Sequence, residues 1–303
     1  MSRFIEIVEV GPRDGLQSEK DVLPTELKVE LINRLAAAGL KRIEVASFVN
    51  PKRVPQMADG EAVLAALPKR SDVRYVGLVL NRKGFDRAVA AGCTEIGMVT
   101  AATESFAQRN QGASVEDTIR TWEEIAPLAN AAGIRAQITI SVAFGCPFEG
   151  EVPRSKVIGI IQRLAKTRPV EIAIADTIGV AVPSDVTAMI AEARTICGDI
   201  PLRCHFHNTR NTAVANAYAA VMAGVVTLDS SVGGLGGCPF APNATGNVAT
   251  EDLVYMLHRA GFTTGIDLDR LIDAAHWLQE TRGHILPGMV SRAGGFPRPA
   301  SMP

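Results

Sequence analysis

The sequence lacks the features that identify several large classes of protein. Its 303 residues carry 31 Lys and Arg against 32 Asp and Glu, so there is no excess of positive charge for a nucleic-acid backbone or an anionic membrane surface. No apolar run approaches the about 20 residues that span a bilayer, and the five cysteines form no Cys-x-x-Cys pair. We therefore expect a cytoplasmic protein with reduced thiols that binds neither nucleic acid nor membrane.

Short β-branched apolar runs alternate along the chain with longer segments rich in Ala, Leu and Glu. Several helix-like segments begin at Pro, Ser or Thr and end at Gly, as helix caps do. Eight predicted strands, each followed by a predicted helix, favour an α/β fold of the (β/α)₈ TIM-barrel type, although periodicity alone leaves a doubly wound open sheet as the alternative. The predicted strands begin at Phe4, Arg42, Val73, Glu95, Arg135, Val170, Leu202 and Val225.

No linker or change in composition divides the chain before about Phe262. Residues 1–285 are therefore predicted to form one barrel domain, which includes a further amphipathic helix from Asp267 to Gly283. Residues 286–303 are rich in Gly and Pro and are predicted to be a tail, ordered weakly or by docking onto the domain.

Several polar residues follow directly after predicted strands, where barrel enzymes build their active sites. They lie far apart in the sequence, yet this position would bring them to one end of the barrel. The residues at or just beyond strand ends are Arg13, Asp14, Glu44, Ser47, Asp176, His205 and His207, with the Gly-rich segment from Gly233 to Asn247 after the eighth strand. We expect one shared site at this end.

His205 and His207 alternate on the seventh predicted strand, so both imidazoles face the same side. Such a pair supplies two nitrogen ligands to a divalent metal, and it is equally consistent with two hydrogen-bonded histidines at a strand end. Asp14 would add a carboxylate, giving a mixed set that suits Mg²⁺, Mn²⁺ or Zn²⁺. The other histidines, predicted to be surface or hydrogen-bonded residues, are His258, His276 and His284.

Two further features have both a chemical and a structural interpretation. The guanidinium of Arg13 is permanently charged and has several N–H donors in one plane, which suits the binding of an oxyanion. An Arg next to an Asp, here Asp14, directly after Gly11 and Pro12, is also typical of a surface ion pair in a turn. Cys238, within the Gly-rich segment, is either a reactive thiol on a loop that closes over a ligand or a small residue used for packing.

Four separated blocks of the sequence resemble hydroxymethylglutaryl-CoA lyases, members of a wider group of metal-dependent barrel lyases. The blocks are EVGPRDGLQSEK, IEVASFVNPKRVPQM, ADTIG and SSVGGLGGCPFAPNATGNVATEDLVYML, and the similarity runs from about Phe4 to Leu271. The resemblance implies an enzyme that cleaves (S)-3-hydroxy-3-methylglutaryl-CoA to acetyl-CoA and acetoacetate by a retro-Claisen reaction. It also implies a Mg²⁺ or Mn²⁺ cofactor, a homodimer or higher homo-oligomer, and a place in leucine degradation and ketone-body formation.

The resemblance further implies a role for each residue of the expected site. Arg13 would stabilise the enolate of acetyl-CoA with support from Glu44, and Asp14 and His205 would handle the hydroxyl proton of the substrate. Cys238 would donate or shuttle a proton. The other implied roles are metal binding by Asp14, His205, His207 and Asn247, and lining of the substrate site by Arg13, Gln17, Ser47 and Asp176.

The sequence departs from this family beside the expected metal ligands. Asn208 stands where family members have Asp, Asn211 stands near a usual Gly, and the Gly-rich loop carries PNAT where smaller residues are typical. Since Asn208 removes a negative charge near the ligands, a related 3-hydroxy-3-carboxyalkyl acyl-CoA is an alternative substrate.

Three other functions were weighed against the lyase. A condensing enzyme of the same group would be expected to carry further C-terminal domains, and a 4-hydroxy-2-oxo-acid aldolase is disfavoured by the GGLGGCPFAPNATGN loop. A barrel that binds an acyl-CoA or a metal without turnover would be expected to have lost a functional residue, yet the sequence retains Arg13, Asp14, His205 and Asn247.

Overall fold

A computed structural model describes residues 3–237 and 246–297 of the chain. Eight parallel strands form its centre: β1 (Glu6–Glu9), β2 (Arg42–Ser47), β3 (Arg74–Leu78), β4 (Glu95–Ala101), β5 (Arg135–Ser141), β6 (Ile172–Asp176), β7 (Leu202–Phe206) and β8 (Thr227–Ser230). Because β1 pairs with both β2 and β8, the sheet closes on itself. The predicted TIM barrel is confirmed, and the open doubly wound sheet is excluded.

The strands form where β-branched and apolar residues predominate, as expected for strands that are largely buried on both faces. β2 and β4 occupy the residues predicted for them, whereas the other strands are shorter than their predicted runs. In β2 the pairing with β3 shifts between Glu44 and Ala46, which marks a bulge. Such irregularities re-aim side chains near the rims of barrels.

Helices follow the strands and cover the outside of the barrel. They are α1 (Thr25–Ala37), α2 (Gly60–Ala66), α3 (Arg82–Ala90), α4 (Glu104–Gln111), α5 (Val115–Ala131), α6 (Arg154–Ala165), α7 (Pro183–Cys197), α8 (Ala213–Met222), α9 (Thr250–Arg259), α10 (Leu268–Arg282) and α11 (Val290–Ala293). The sequence reading did not include α4, α11 or the short hairpin that pairs Gly145–Cys146 with Gly150–Glu151. In the described ranges, no helix is both long and apolar enough to cross a bilayer.

Local capping explains several helix ends. Ser114 Oγ accepts a hydrogen bond from the Asp117 backbone N–H at 3.0 Å, and the Asp117 carboxylate accepts one from the Ser114 backbone N–H, so α5 begins with a capping box. Asp267 caps the N-terminus of α10, and Gly283, whose φ of 69° favours glycine, caps its C-terminus. The further amphipathic helix after the barrel is therefore present where it was predicted.

A network of buried charges fills the lower interior of the barrel, at the end where the strands begin. The Arg42 guanidinium from β2 lies 2.5 Å from a Glu95 oxygen and 2.9 Å from a Glu171 oxygen, and all three side chains are almost completely buried. Buried charges of this kind need close partners, since an unpaired one is strongly destabilising.

The segment after α10 packs on the barrel as far as residue 297. Leu286 is buried, and the Asp252 carboxylate on α9 accepts hydrogen bonds from the Met289 and Val290 backbone N–H groups at the start of α11. His276 Nε2 lies 2.6 Å from the Ser291 carbonyl oxygen. Residues 286–297 are therefore docked onto the barrel domain.

Two buried carboxyl groups lie between β1, β8 and α9. Glu9 accepts hydrogen bonds from the Gly11 and Val232 backbone N–H groups and from Thr250 Oγ1. Glu251 accepts one from the Gly233 N–H at 3.0 Å. Burial raises the pKa of Glu9 to about 7 and the pKa of Glu251 to about 8.

This pKa shift predicts a pH-dependent effect of Glu251→Gln on stability. The pKa of Glu251 rises from 4.5 to about 8 in the folded protein, so the folded chain holds this proton more tightly. The resulting stabilisation is complete below about pH 4.5 and is lost as the pH rises through 8. A neutral amide avoids that loss. Thermal melts should therefore show a higher Tm for Glu251→Gln than for the wild type near pH 9, and a smaller difference near pH 5.

Glu280→Gln, on the exposed face of α10, is the matched control for this substitution. An equal Tm difference at both pH values for Glu251→Gln would contradict the prediction.

Candidate active site

A single tight turn after β1 places two charged side chains at the rim of the barrel. In the π-helical turn Gly11–Gly15, the Val10 carbonyl oxygen accepts hydrogen bonds from the backbone N–H groups of Arg13 and Asp14, at 3.2 and 2.7 Å. Both side chains then line the cavity at the C-terminal ends of the strands. They lie in the site rather than in a solvent-exposed turn.

Arg13 is held between two carboxylates. Its Nε and Nη2 donate to Glu44 Oε2 at 2.9 and 2.6 Å, and its Nη1 donates to Asp14 Oδ1 at 2.7 Å. Burial acts to lower the pKa of Arg13, but Glu44 and Asp14 outweigh it and raise that pKa, so the guanidinium stays charged. Its orientation is fixed before any ligand arrives, which is the condition for an effective oxyanion donor.

His205 and His207 project into the same space as Asp14. Their ring centroids are 5.1 Å apart, and one potential ligand atom from each of the three residues lies within 4.8 Å of the others. His205 Nδ1 lies 3.2 Å from Asp229 Oδ2 on the neighbouring strand β8. A carboxylate in this position fixes the orientation and tautomer of a ligating histidine.

Asn247 joins this group because the chain returns to the end of β7. His207 and Asn247 form an antiparallel bridge, flanked by hydrogen bonds from the Asn208 N–H to the Gly246 carbonyl and from the Val248 N–H to the Phe206 carbonyl. Asn247 Nδ2 donates to Asp14 Oδ2 at 2.9 Å.

Glycine is needed at position 246 for this return of the chain. A Cβ there would lie only 2.0 Å from the Gly234 carbonyl oxygen. The Gly-rich segment therefore serves close backbone packing beside Asn247 in its described part.

The donor set fits a divalent metal ion. His207 Nδ1 and Asn247 Oδ1 are buried and have no hydrogen-bond partner among the described residues. Burial and then His205 lower the pKa of His207 to about 3, so its imidazole is neutral. The pKa of Asp14 is about 2, because Arg13 and both histidines outweigh burial. A neutral imidazole and an ionised carboxylate are the forms that bind metals.

The cavity above these residues has a volume of about 450 Å³. Its lining combines apolar strand residues with Arg13, Asp14, Gln17, Glu44 and the two histidines. The Gln17 Oε1 atom is buried and has no hydrogen-bond partner among the described residues. Burial raises the pKa of Glu44 despite the opposing effect of Arg13.

Two residues expected to line the substrate site do not line this cavity. Asp176 alternates with Ala175 and Thr177, which do line it, so its carboxylate faces away and instead accepts hydrogen bonds from the Val180 and Ala181 N–H groups at 2.9 Å. The Ser47 side chain is buried outside the cavity, and its Oγ has no hydrogen-bond partner among the described residues. Both residues lie at strand ends, as their positions in the sequence indicated, and a role for them in lining the substrate site stays a prediction.

Two of the departures from the family pattern, Asn208 and Asn211, line an outer groove and not this cavity, and the third, PNAT, lies outside the described residues. Asn208 Oδ1 accepts a hydrogen bond from the Ala213 N–H at the start of α8, and Asn211 lies nearby with a φ of 57°. Both residues line a groove beside α9. Asn208 therefore does not contact a ligand in the cavity directly. Cys238, predicted to be catalytic, lies outside the described residues.

The polar residues that line the same cavity but were not predicted include Gln137, Arg203 and Asp229. A signal was available for two of them. Arg203 stands two residues before His205 on the same strand and must share its face, and Asp229 is the charged residue in the predicted strand VVTLDSS.

Comparisons with known proteins agree with this geometry. The family model described as HMGL-like matches residues 4–278. The chain is 42% identical to the cytoplasmic 3-hydroxy-3-methylglutaryl-CoA lyase of Danio rerio, over 96% of this chain and 87% of that protein. It is also 41% identical to the (R)-citramalyl-CoA lyase of Chloroflexus aurantiacus, over 98% of both chains.

A solved structure shows the same fold over nearly the whole chain. The HMG-CoA lyase of Acinetobacter baumannii, in complex with coenzyme A and 3-methylmalate, superposes with a TM-score of 0.94 at 37% identity. The match covers 99% of this chain and 98% of that one.

Proposed function

Because the chain belongs to the HMGL-like family, we propose that it is a divalent-metal-dependent carbon–carbon lyase that cleaves a 3-hydroxyacyl-CoA thioester. One observation carries the proposal. Arg13 and Asp14 are joined at 2.7 Å, and Asp14 also lies in the cluster with His205 and His207. An oxyanion donor and a metal site therefore face one cavity, as a retro-Claisen cleavage requires.

The reaction breaks the bond between C2 and C3 of the acyl group. A base removes the proton of the C3 hydroxyl, C3 becomes a carbonyl, and the bonding electrons pass to C2 to give the enolate of acetyl-CoA. A proton then adds to C2, and acetyl-CoA leaves with an oxo acid. The reaction needs a base, an enolate stabiliser and a proton donor.

We assign these tasks to the residues of the cavity. Arg13, held by Glu44, stabilises the enolate oxygen, and Asp14 and His205 receive the hydroxyl proton. Asp14, His205, His207 and Asn247 would hold Mg²⁺ or Mn²⁺. Such an ion, when bound, acts as a Lewis acid that lowers the pKa of the substrate hydroxyl.

The first candidate substrate is (S)-3-hydroxy-3-methylglutaryl-CoA, which would give acetyl-CoA and acetoacetate. The second is a citramalyl-type thioester, favoured by the Chloroflexus relative that matches over 98% of both chains. A coupled assay with both thioesters, with and without Mg²⁺ or Mn²⁺, tests the proposal. We expect metal-dependent release of acetyl-CoA from at least one of them; no release from either would contradict it.

We assign the final proton transfer to Cys238 and predict selective inactivation by thiol reagents. The four described cysteines are all buried, including Cys197 at the end of α7, and burial raises the pKa of Cys93 to about 12. Buried thiols with raised pKa values react slowly. Reagents should therefore label Cys238, and a non-cleavable acyl-CoA with Mg²⁺ should protect it.

Cys238→Ser should retain metal binding and turn over slowly, because a hydroxyl is a poorer proton donor than a thiol. Peptide mapping by mass spectrometry, together with the kcat of this variant, tests the assignment. Label on another cysteine, combined with a fully active Cys238→Ser enzyme, would show that this thiol only packs in its loop. A homo-oligomeric state, a cytoplasmic location and a place in leucine degradation or ketone-body formation stay predictions.

A further inference from the structure

A buried arginine lines the floor of the cavity and has no part in the chemistry assigned above. Arg203 lies on β7 two residues before His205, so both side chains point into the barrel. Two residues of strand separate its Cα from that of His205 by about 6–7 Å along the strand, and Arg203 lies on the side toward the start of β7. Its relative exposure is 3%.

Small residues on the neighbouring strand give Arg203 room to cross the barrel. On β6, Ala173 and Ala175 lie beside Arg203 and His205, respectively. The Arg203 guanidinium extends past them to β5, where its Nη2 donates to Gln137 Oε1 and, at 3.3 Å, to Thr139 Oγ1. Gln137 and Thr139 also line the cavity, so these three side chains form a polar floor.

The protein's own carboxylates do not saturate this guanidinium. Arg203 Nη1 lies 3.3 Å from Asp229 Oδ1, and Nε lies 3.4 Å from Glu171 Oε2. Neither Nε nor Asp229 Oδ1 makes a hydrogen bond among the described residues. Both carboxylates also serve other cations, since Asp229 contacts His205 and Glu171 contacts Arg42. Arg203 thus retains donor capacity at the base of a ligand cavity.

We propose that Arg203, together with Gln137 and Thr139, binds a carboxylate on the acyl group of the substrate. This inference rests on the proposed function and assigns the residues that recognise the anionic acyl end, which both candidate thioesters carry. A buried carboxylate needs a charged partner, and the planar guanidinium fork suits a carboxylate better than a single point charge does.

Binding of two thioesters that cannot be cleaved tests this inference. 3-Methylglutaryl-CoA and isovaleryl-CoA both lack the 3-hydroxyl, and of the two acyl ends only the first carries a carboxylate. Calorimetry on the full chain with Mg²⁺ should show about 10–100-fold tighter binding of 3-methylglutaryl-CoA, as expected for hydrogen bonds to a charged group. Equal affinity of the two thioesters would overturn the inference.

Gln137→Glu is the most informative variant. Glutamate has nearly the same shape as glutamine, and it would place a protein carboxylate against the Arg203 guanidinium, where the substrate carboxylate is proposed to bind. It should abolish the preference for 3-methylglutaryl-CoA, and Thr139→Val should reduce it. The matched control is Gln111→Glu, which adds the same charge to the lining of the cavity. The Gln111 side-chain amide donates a hydrogen bond to the Val99 carbonyl oxygen and not to a group on the polar floor. An undiminished preference in Gln137→Glu, or an equal loss in Gln111→Glu, would overturn the assignment.

The binding result is independent of turnover. If neither candidate 3-hydroxyacyl-CoA is cleaved, the proposed lyase activity fails, while a carboxylate preference that depends on Gln137 still supports the floor as an acyl-carboxylate site.

Discussion

Arg13→Met is expected to lower kcat by about 10²–10³-fold, the usual effect of removing one oxyanion donor. Methionine keeps much of the length of the side chain but removes the donors that face the enolate oxygen. Because this interaction strengthens as the C2–C3 bond breaks, kcat and kcat/KM should fall together. Steady-state kinetics and the affinity for a non-cleavable acyl-CoA measure the two effects separately.

Arg154→Met is a suitable control for this substitution. Arg154 pairs with Glu192 on the exposed surface at 2.7 Å, so its loss should leave the kinetics unchanged. Circular dichroism should first establish that Arg13→Met is folded, because Glu44 loses its charged partner. If KM alone rises and kcat holds, Arg13 binds substrate and does not stabilise the enolate.

Removal of divalent metal is expected to abolish activity, and Mg²⁺ or Mn²⁺ should restore it. His207→Ala should weaken metal binding by more than the about 10–100-fold that accompanies loss of a residue that only supports a ligand. This expectation rests on the buried Nδ1 of His207, which has no hydrogen-bond partner within residues 3–237 and 246–297. Titration calorimetry with Mn²⁺ measures the affinity directly.

His284→Ala serves as the matched control, since His284 is exposed beyond α10. It should bind Mn²⁺ as the wild type does. Full activity after exhaustive chelation, or unchanged Mn²⁺ affinity in His207→Ala, would contradict the metal site.

The fold was predictable because strands buried on both faces leave a clear signal. β2 and β4 occupy their predicted residues, since apolar and β-branched residues predominate in both runs and nearly every residue is buried. α4 left no comparable signal: in ESFAQRNQ only Phe106 and Ala107 are buried, too few to give a helical apolar period. Its position depends on tertiary contacts that the local pattern does not record.

The sequence predicted which strand ends carry the residues of the site, but it did not predict which way each side chain points. Arg13, Asp14, His205 and His207 converge because parallel strands bring their C-terminal ends to one rim. Asp176 shares that rim, yet alternation turns it outward. Asn247 reaches Asp14 through an antiparallel return of the chain, and Arg203 reaches β5 across two alanines; both depend on contacts between distant segments.

The most direct test of the central claim, that this chain breaks a C2–C3 bond through an acetyl-CoA enolate, is mass spectrometry of the products formed in D₂O. With Mg²⁺ and (S)-3-hydroxy-3-methylglutaryl-CoA, we expect acetoacetate and acetyl-CoA that carries one deuterium in its methyl group. The same incubation without divalent metal should leave the thioester intact. Intact thioester in the presence of Mg²⁺, with citramalyl-CoA equally unchanged, or acetyl-CoA formed without deuterium, would contradict the account.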